Sequence, residues 1–310
     1  MKKQFEVLGS VFFLAAALGF ACPVSAQPPV GGAVPGAAPE AVRSVLAESD
    51  QEALLPADTR VEKDLAYGQN PLQKLDVYQP ANAKNLPVIV MVHGGAWYMG
   101  NKVNGGVVGN KAAYFLNHGY VFVSVNYRLW PKASVLEQAD DVAKALAFVQ
   151  SKASSWGADG SRVVLMGHSA GAQLVSLLSA APELAQKAGA KPWLGTISLD
   201  SAVFDLPALL KQPHMGFYDR VFGPKVEFQK TCSPTFRLAA KPCPMLLVYS
   251  TLRDDAGPQN KAFAARAKSF GGRIEVLPLA MEHAPINRDL GLPGKYTEGV
   301  EAFLQSLTKH

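Results

Sequence analysis

Cysteine is scarce in this chain, with three in 310 residues, and charge is thin, at 18% Asp, Glu, Lys and Arg. The first cysteine, Cys22, lies in an N-terminal apolar segment. Beyond it only Cys232 and Cys243 remain. In an exported protein that pair is open either to a disulfide or to two buried thiols, and the sequence does not supply the Cα separation that would decide. There is no internal repeat and no heptad run, which excludes a solenoid or a coiled coil. Lys and Arg are scattered, so the net charge of +5 describes a solvated, mildly basic surface and argues against a nucleic-acid partner.

The N-terminus has the layout of a secretory signal. Lys2 and Lys3 form a positive region, residues 7–21 are apolar apart from Gly9, Ser10 and Gly19, and Val24-Ser25-Ala26 offers small residues for cleavage before Gln27. The run is short for a spanning helix of ~20 residues, so no stable membrane insertion is expected after cleavage. Cys22 lacks the Leu three residues earlier that a lipoprotein signal carries; Leu18 stands one position too early. The expected organisation is a signal peptide over 1–26, a flexible Pro/Gly/Ala-rich segment over 27–54 and one folded domain over 55–310. The expected location is periplasmic or secreted. Loss of Lys2, Lys3 and Glu6 leaves a charge of +4.

At 48% hydrophobic, the remainder is long enough to bury a full core. Strand-like segments at 61–67 and 73–78 flank the turn signal Gly68-Gln69-Asn70-Pro71 and suit an antiparallel edge. Apolar runs at 86–92, 121–125, 162–166, 194–199, 245–249 and 274–277 then alternate with helical patterns at 112–117, 135–156, 172–178, 261–270 and 296–307. Strands alternating with helices predict an α/β fold with a mostly parallel, eight-stranded sheet covered on both faces. Residues 201–240, irregular and rich in aromatics and Pro, read as a cap inserted over the carboxyl edge of the sheet, where ligand sites of such folds lie.

One stretch organises the chemistry. Arg162-Val163-Val164-Leu165-Met166 is a buried strand, Gly167-His168-Ser169-Ala170-Gly171 fits G-x-S-x-G, and a helix pattern follows. That is the setting of a nucleophile elbow, with Ser169 raised on a sharp turn at a helix N-terminus. A serine hydroxyl needs a base in hydrogen-bond reach, itself oriented by an acid. In elbow enzymes the chain order is Ser, acid, His. Of the later histidines, His214 falls in the cap and His310 is terminal. His283, in the loop after the last strand, is the candidate base. His168, inside the elbow, reads as a packing residue. Asp254 is the preferred acid, with Asp255 as the alternative and Asp200 behind them. Gly94, Gly95 and Ala96, after a buried strand, with the Ala170 N–H, are the candidate oxyanion hole. His93 reads as a loop-holding residue. Neither a metal nor an organic cofactor is required.

These motifs resemble those of the α/β-hydrolase superfamily, in particular its hormone-sensitive-lipase-like esterases and the related feruloyl- and acetyl-xylan-esterase-like and kynurenine-formamidase-like groups. The matching residues are Leu75-Asp76-Val77-Tyr78 with Pro80, His93-Gly94-Gly95-Ala96-Trp97, Tyr127-Arg128-Leu129, Gly167-His168-Ser169-Ala170-Gly171, Ser233-Pro234 and His283. Two positions depart from the pattern. Ala96 replaces the third glycine of H-G-G-G. The loop Ser250-Thr251-Leu252-Arg253-Asp254-Asp255 is one residue longer than G-T-x-D when read to Asp254, the choice that counting back from Pro258 favours. The resemblance implies a serine carboxylesterase acting on small-molecule esters, and the N-terminal pattern adds export. Amide or formamide cleavage on the same residues and a non-catalytic binding role are the alternatives.

Overall fold

The structure is a computed structural model, and it describes residues 53–308. The signal-like segment and His310 lie outside the described residues. Eight strands form one sheet in the order β1-β2-β4-β3-β5-β6-β7-β8. They are β1 (Thr59–Ala66), β2 (Lys74–Pro80), β3 (Leu86–Val92), β4 (Val121–Val125), β5 (Ala158–His168), β6 (Gly195–Leu199), β7 (Met245–Ser250) and β8 (Ile274–Leu279). The β1–β2 and β2–β4 pairs are antiparallel, and the β4-to-β8 ladder is parallel.

The pattern of β3 explains why this sheet must be covered twice. Val88, Val90 and Val92 face one apolar cluster while Ile89 and Met91 face the other. Successive side chains alternate faces, so a continuously apolar strand is stable only with helices on both sides. One layer contains α2 (Val135–Lys152) and α3 (Ala170–Ala180); the other contains α1 (Gly109–Asn117) and α11 (Lys295–Thr308). Ser134 opens α2 with a capping box: its hydroxyl accepts from the Glu137 N–H while the Glu137 carboxylate accepts from the Ser134 N–H at 2.8 Å. The predicted helix over 135–156 breaks at Lys152 into a 3₁₀ turn, Ala153–Trp156, which ends at left-handed Gly157. A short α4 (Pro182–Lys187) follows α3, and α9 (Ala256–Ser269) precedes β8.

The cap over 201–240 is more ordered than its composition suggests. It contains α5 (Leu206–Leu209), α6 (Phe217–Phe222), α7 (Val226–Thr231) and α8 (Pro234–Arg237). Helices of four to six residues are too short to establish a 3.6-residue periodicity, so the pattern could not reveal them. Ser233 ties them together, accepting from the Leu206 N–H at 3.0 Å and donating to Gln229 O at 2.7 Å. Cys232 and Cys243 are free thiols, the first buried and the second partly exposed.

Two contacts hold the glycine-rich loop after β3 against the elbow after β5. A Cβ on Gly171 would lie 2.2 Å from Val92 O and 2.5 Å from His93 O, so only glycine lets α3 start this close to β3. His93 is buried, with its ring stacked on Tyr127 at 4.4 Å and its Nδ1–H donating to Gly94 O at 2.7 Å. The Tyr127 hydroxyl donates to His93 O at 3.0 Å. Next to it, Arg128 grips buried Asp141 through Nε at 2.8 Å and Nη2 at 2.7 Å, and Gln73 adds a bond of 2.6 Å. The Tyr-Arg-Leu motif is therefore structural: it anchors the loop and α2 to the antiparallel edge.

Two predictions follow from these contacts. Gly171→Ala must displace backbone, which overpacking precedents put at ~2 kcal/mol; a thermal melt is expected to show a Tm several degrees lower with activity lost in step. Burial pushes His93 down to about 4, against the pull of its bond to Gly94 O. The unfolded chain takes up a proton near 6.5 that the folded chain refuses until about 4, so stability falls as pH drops through that window, by on the order of 3 kcal/mol for this group. Urea titrations at pH 7, 5.5 and 4 are expected to show the fall, and His93→Asn to remove part of the slope while lowering stability at pH 7.

Candidate active site

Ser169 stands between β5 and α3 at φ 55°, ψ −117°, a conformation that costs a non-glycine residue energy and persists only where its surroundings enforce it. Here they do: the Ser169 N–H donates to Leu199 O at 2.9 Å, and Gly167 leaves no room for a side chain beneath Gly171 O. Ala170 is the first residue of α3, so its N–H has no acceptor within the helix. Gly94 backs directly onto Ser169; a Cβ there would sit 3.0 Å from Ser169 Cβ. Gly95 adopts φ 125°, and a side chain would run into Met99 O. Ala96 takes φ 49° and Trp97 φ 63°. Alanine at the position of the third family glycine thus keeps a left-handed backbone despite its Cβ.

Trp97 locks this loop from the other side. Its Nε1–H donates to Gln173 Oε1 at 2.9 Å, the Gln173 amide donates to Cys232 O at 2.7 Å, and the indole meets Phe222 edge-on at 4.8 Å. Gly94, Gly95, Ala96, Ser169, Arg253 and His283 line one cavity of about 650 Å³, whose lining also includes Met99, Met215, Phe217, Tyr218, Asn287 and Arg288. A second space of only about 20 Å³ lies among Trp97, Ser169, Ala202, Phe217 and Tyr218. The cap thus supplies the aromatic wall.

His283 does not sit in an open loop; it is the first residue of a short helix, α10 (His283–Arg288). The Ser250 hydroxyl donates to Met281 O at 2.6 Å, fixing the approach to it. His168 packs its ring against that of His283 at 4.4 Å, and its Nε2–H donates to His283 O at 3.0 Å. Burial, reinforced by the neighbouring His283, holds His168 well below the usual histidine range. It stays neutral and acts as the packing residue its position predicts. His214 lies in the cap, 3.2 Å from Asp219.

The carboxylate that meets the imidazole is not that of Asp254. Asp200, directly after β6, places Oδ2 2.6 Å from His283 Nδ1. Asp254 is exposed in the turn before α9 and shows no hydrogen bond to His283, while Asp255 accepts from Arg253 Nη2 at 3.0 Å. In this loop it is Arg253 that lies beside the imidazole, with Nη1 3.0 Å from His283 Nδ1, while Asp255 is held on its Nη2. Asp200 is fully buried, at φ 54°. Its Oδ1 accepts from the Ser250 N–H at 2.7 Å, and its Oδ2 accepts also from Arg253 Nη1 at 2.8 Å. Burial alone would raise its pKa, but the His283 hydrogen bond, the Arg253 charge and the Ser250 N–H together hold it well below the usual carboxylate range. Sequence reasoning ranked Asp200 third and missed Arg253. A polar residue closing the apolar run 195–199, directly at the carboxyl edge of the sheet, was the available signal. Among the described residues no hydrogen bond joins Ser169 Oγ to His283; such bonds are often long in free enzymes and tighten with substrate. No group of three or more His, Cys, Asp or Glu among those residues is arranged to hold a metal.

Comparison with known proteins agrees with this architecture. The BD-FAE family model matches residues 75–201, which run from β2 through the elbow to the residue after Asp200. The isoprenylcysteine alpha-carbonyl methylesterase ICME of Arabidopsis thaliana is 29% identical over 241 residues, 70% of this chain and 55% of the relative. The carboxylesterase NlhH of Mycobacterium tuberculosis is 29% identical over 174 residues, 54% of this chain and 52% of the relative. The chain thus spans about half the length of these curated relatives. Among solved structures, esterase B of Lactobacillus rhamnosis superposes with a TM-score of 0.69 at 20% identity, covering 87% of this chain and 93% of that one. Sheet order, elbow geometry and the superposition lead to one placement: the chain has the α/β-hydrolase fold, and its sequence is similar to those of carboxylic ester hydrolases.

Proposed function

We propose that this protein hydrolyses carboxylic esters through an acyl-enzyme on Ser169. The observation that carries the reading is the convergence of Ser169, raised on a strained elbow, with His283, whose Nδ1 is held by Asp200, around one cavity. His283 Nε2 removes the Ser169 proton as Oγ attacks the ester carbonyl. The charge that develops on the carbonyl oxygen faces the backbone N–H groups of Gly95, Ala96 and Ala170, with Gly94 giving the close approach. Asp200 fixes the ring with its proton on Nδ1 and stabilises the imidazolium. The imidazolium then protonates the departing alcohol, and water enters by the same route in reverse to free Ser169.

The narrow space behind Ser169, walled by Trp97, Phe217 and Tyr218, favours short acyl groups. The wider cavity suits the alcohol portion. The names and similarities of the relatives support ester over amide cleavage. The pattern of residues 1–26 supports export, with the working protein beginning at Gln27.

With p-nitrophenyl esters of increasing acyl length, acetyl and propionyl esters are expected to turn over fastest. Ser169→Ala is expected to lower kcat/KM by about 10⁴-fold or more, and Asp200→Asn by roughly 10⁴-fold. Asp254→Asn is expected to leave the rate unchanged; a collapse there with Asp200→Asn active would restore Asp254 as the acid. N-terminal sequencing of the protein recovered from its expressing cells is expected to read from Gln27; a chain still starting at Met1 would sink the export reading.

A further inference from the structure

Arg253 is a charged side chain beside His283 and Asp200 to which the mechanism above gives no work. It lines the substrate cavity, and it is not an incidental surface group, since its guanidinium is pinned at both ends. Nη1 donates to Asp200 Oδ2 at 2.8 Å and to Asp200 O at 3.2 Å, while Nη2 donates to Asp255 Oδ2 at 3.0 Å. Nη1 also lies 3.0 Å from His283 Nδ1. With its proton on Nδ1, the imidazole is a donor there, as Arg253 is, so the two do not bond to each other. They converge on the same carboxylate oxygen.

We propose that Arg253 is a positioning residue of this active site: by sharing Asp200 Oδ2 with His283, it holds the carboxylate in place and sets how readily the imidazole accepts the proton of Ser169. The inference rests on the reading of Ser169, His283 and Asp200 as the working trio.

The sign of the effect follows from the charges around the ring. Asp200, after β6, favours the imidazolium. Arg253, after β7, carries like charge at hydrogen-bond distance and opposes it, and Asp255 offsets part of that opposition. From the elbow His168 presents a neutral ring, and from α6 Tyr218, pushed up to about 12 by burial, presents a neutral phenol beside Arg253. On the far side of α10, Lys111 of α1 donates to Gly106 O and Asn287 O, and Arg288 is paired with Asp289 at 2.6 Å. Glu282 precedes His283 in the chain and is exposed. Arg253 is therefore the nearest cation to the base, and it shares the very oxygen that should stabilise the charged ring. Removing its charge frees Asp200 for the imidazole alone and eliminates a like charge, and both changes push in the same direction.

The test is the pH dependence of kcat/KM on p-nitrophenyl acetate, per active site titrated with a fluorophosphonate, for the full protein and its variants. Arg253→Gln is expected to move the acidic limb to higher pH by about one unit, and Arg253→Lys to leave it near that of the parent. Asp255→Asn removes the offsetting anion at a partly exposed position and is expected to move the limb the other way. It decides the matter if Arg253→Gln fails to fold. Limbs that stay put in both neutral variants overturn the proposal. So does a rise in KM confined to esters bearing a carboxylate with the limb unmoved, because Arg253 would then read substrate instead. His283→Ala and Asp200→Asn run alongside: if they retain full activity, the trio itself is wrong. If they are inactive and the limbs do not move, only the role of Arg253 fails.

Discussion

A single buried carboxylate ties the carboxyl edge of the sheet together. Asp200 follows β6, accepts from the backbone at the end of β7 through Ser250, and holds the residue that opens α10 after β8. An ionised group buried this deeply persists only when its oxygens are met by donors, and three donors meet it, two from the end of β7 and the turn after it and one from α10. The position of His283 relative to Ser169 therefore depends on the spacing of β6, β7 and β8, which the parallel ladder sets. Chemistry at the edge inherits its precision from the sheet.

The same logic applies across the cleft. The loop carrying Gly94, Gly95 and Ala96 buries one large apolar side chain, Trp97. It is fixed by groups that reach it from elsewhere: Tyr127 from the end of β4, Gln173 from α3, and the aromatic residues of α6 against Trp97. The cap thus braces the donor loop as well as enclosing the cavity, and substitutions at Phe222 act on the oxyanion side without touching substrate.

Much of this was legible from the chain alone because it depends on local patterns. Apolar β-branched runs read correctly as β3 to β7, and Gly167 and Gly171 around Ser169 marked the elbow. The order Ser before His selected His283. The short helices of the cap and α10 were not legible, since four to six residues hold no periodicity. That Asp200 is the carboxylate on His283 was not legible for a different reason. Two loops, after β6 and after β7, end at the same edge and each carries an aspartate; which one faces the imidazole depends on the direction of side chains across neighbouring strands. Reading Ser250-Thr251-Leu252-Arg253 without a gap against G-T-x-D puts arginine in the carboxylate position, and that exchange of charge is compensated by an aspartate on the adjacent strand. Such a swap is invisible to any argument that treats one loop at a time.

Ala96, Trp97, Ser169 and Asp200 all adopt positive φ at the same rim, and each such residue costs roughly 1–2 kcal/mol relative to a relaxed backbone. The rim is thus a local deposit of strain that the well-packed sheet beneath must hold in place. For anyone engineering heat resistance this inverts the usual choice of site. Relaxing the rim with glycine would ease the strain but loosen the donors and the nucleophile, so durability is better sought in the helical layers and at the β1–β2 edge, away from the four residues that have to stay uncomfortable.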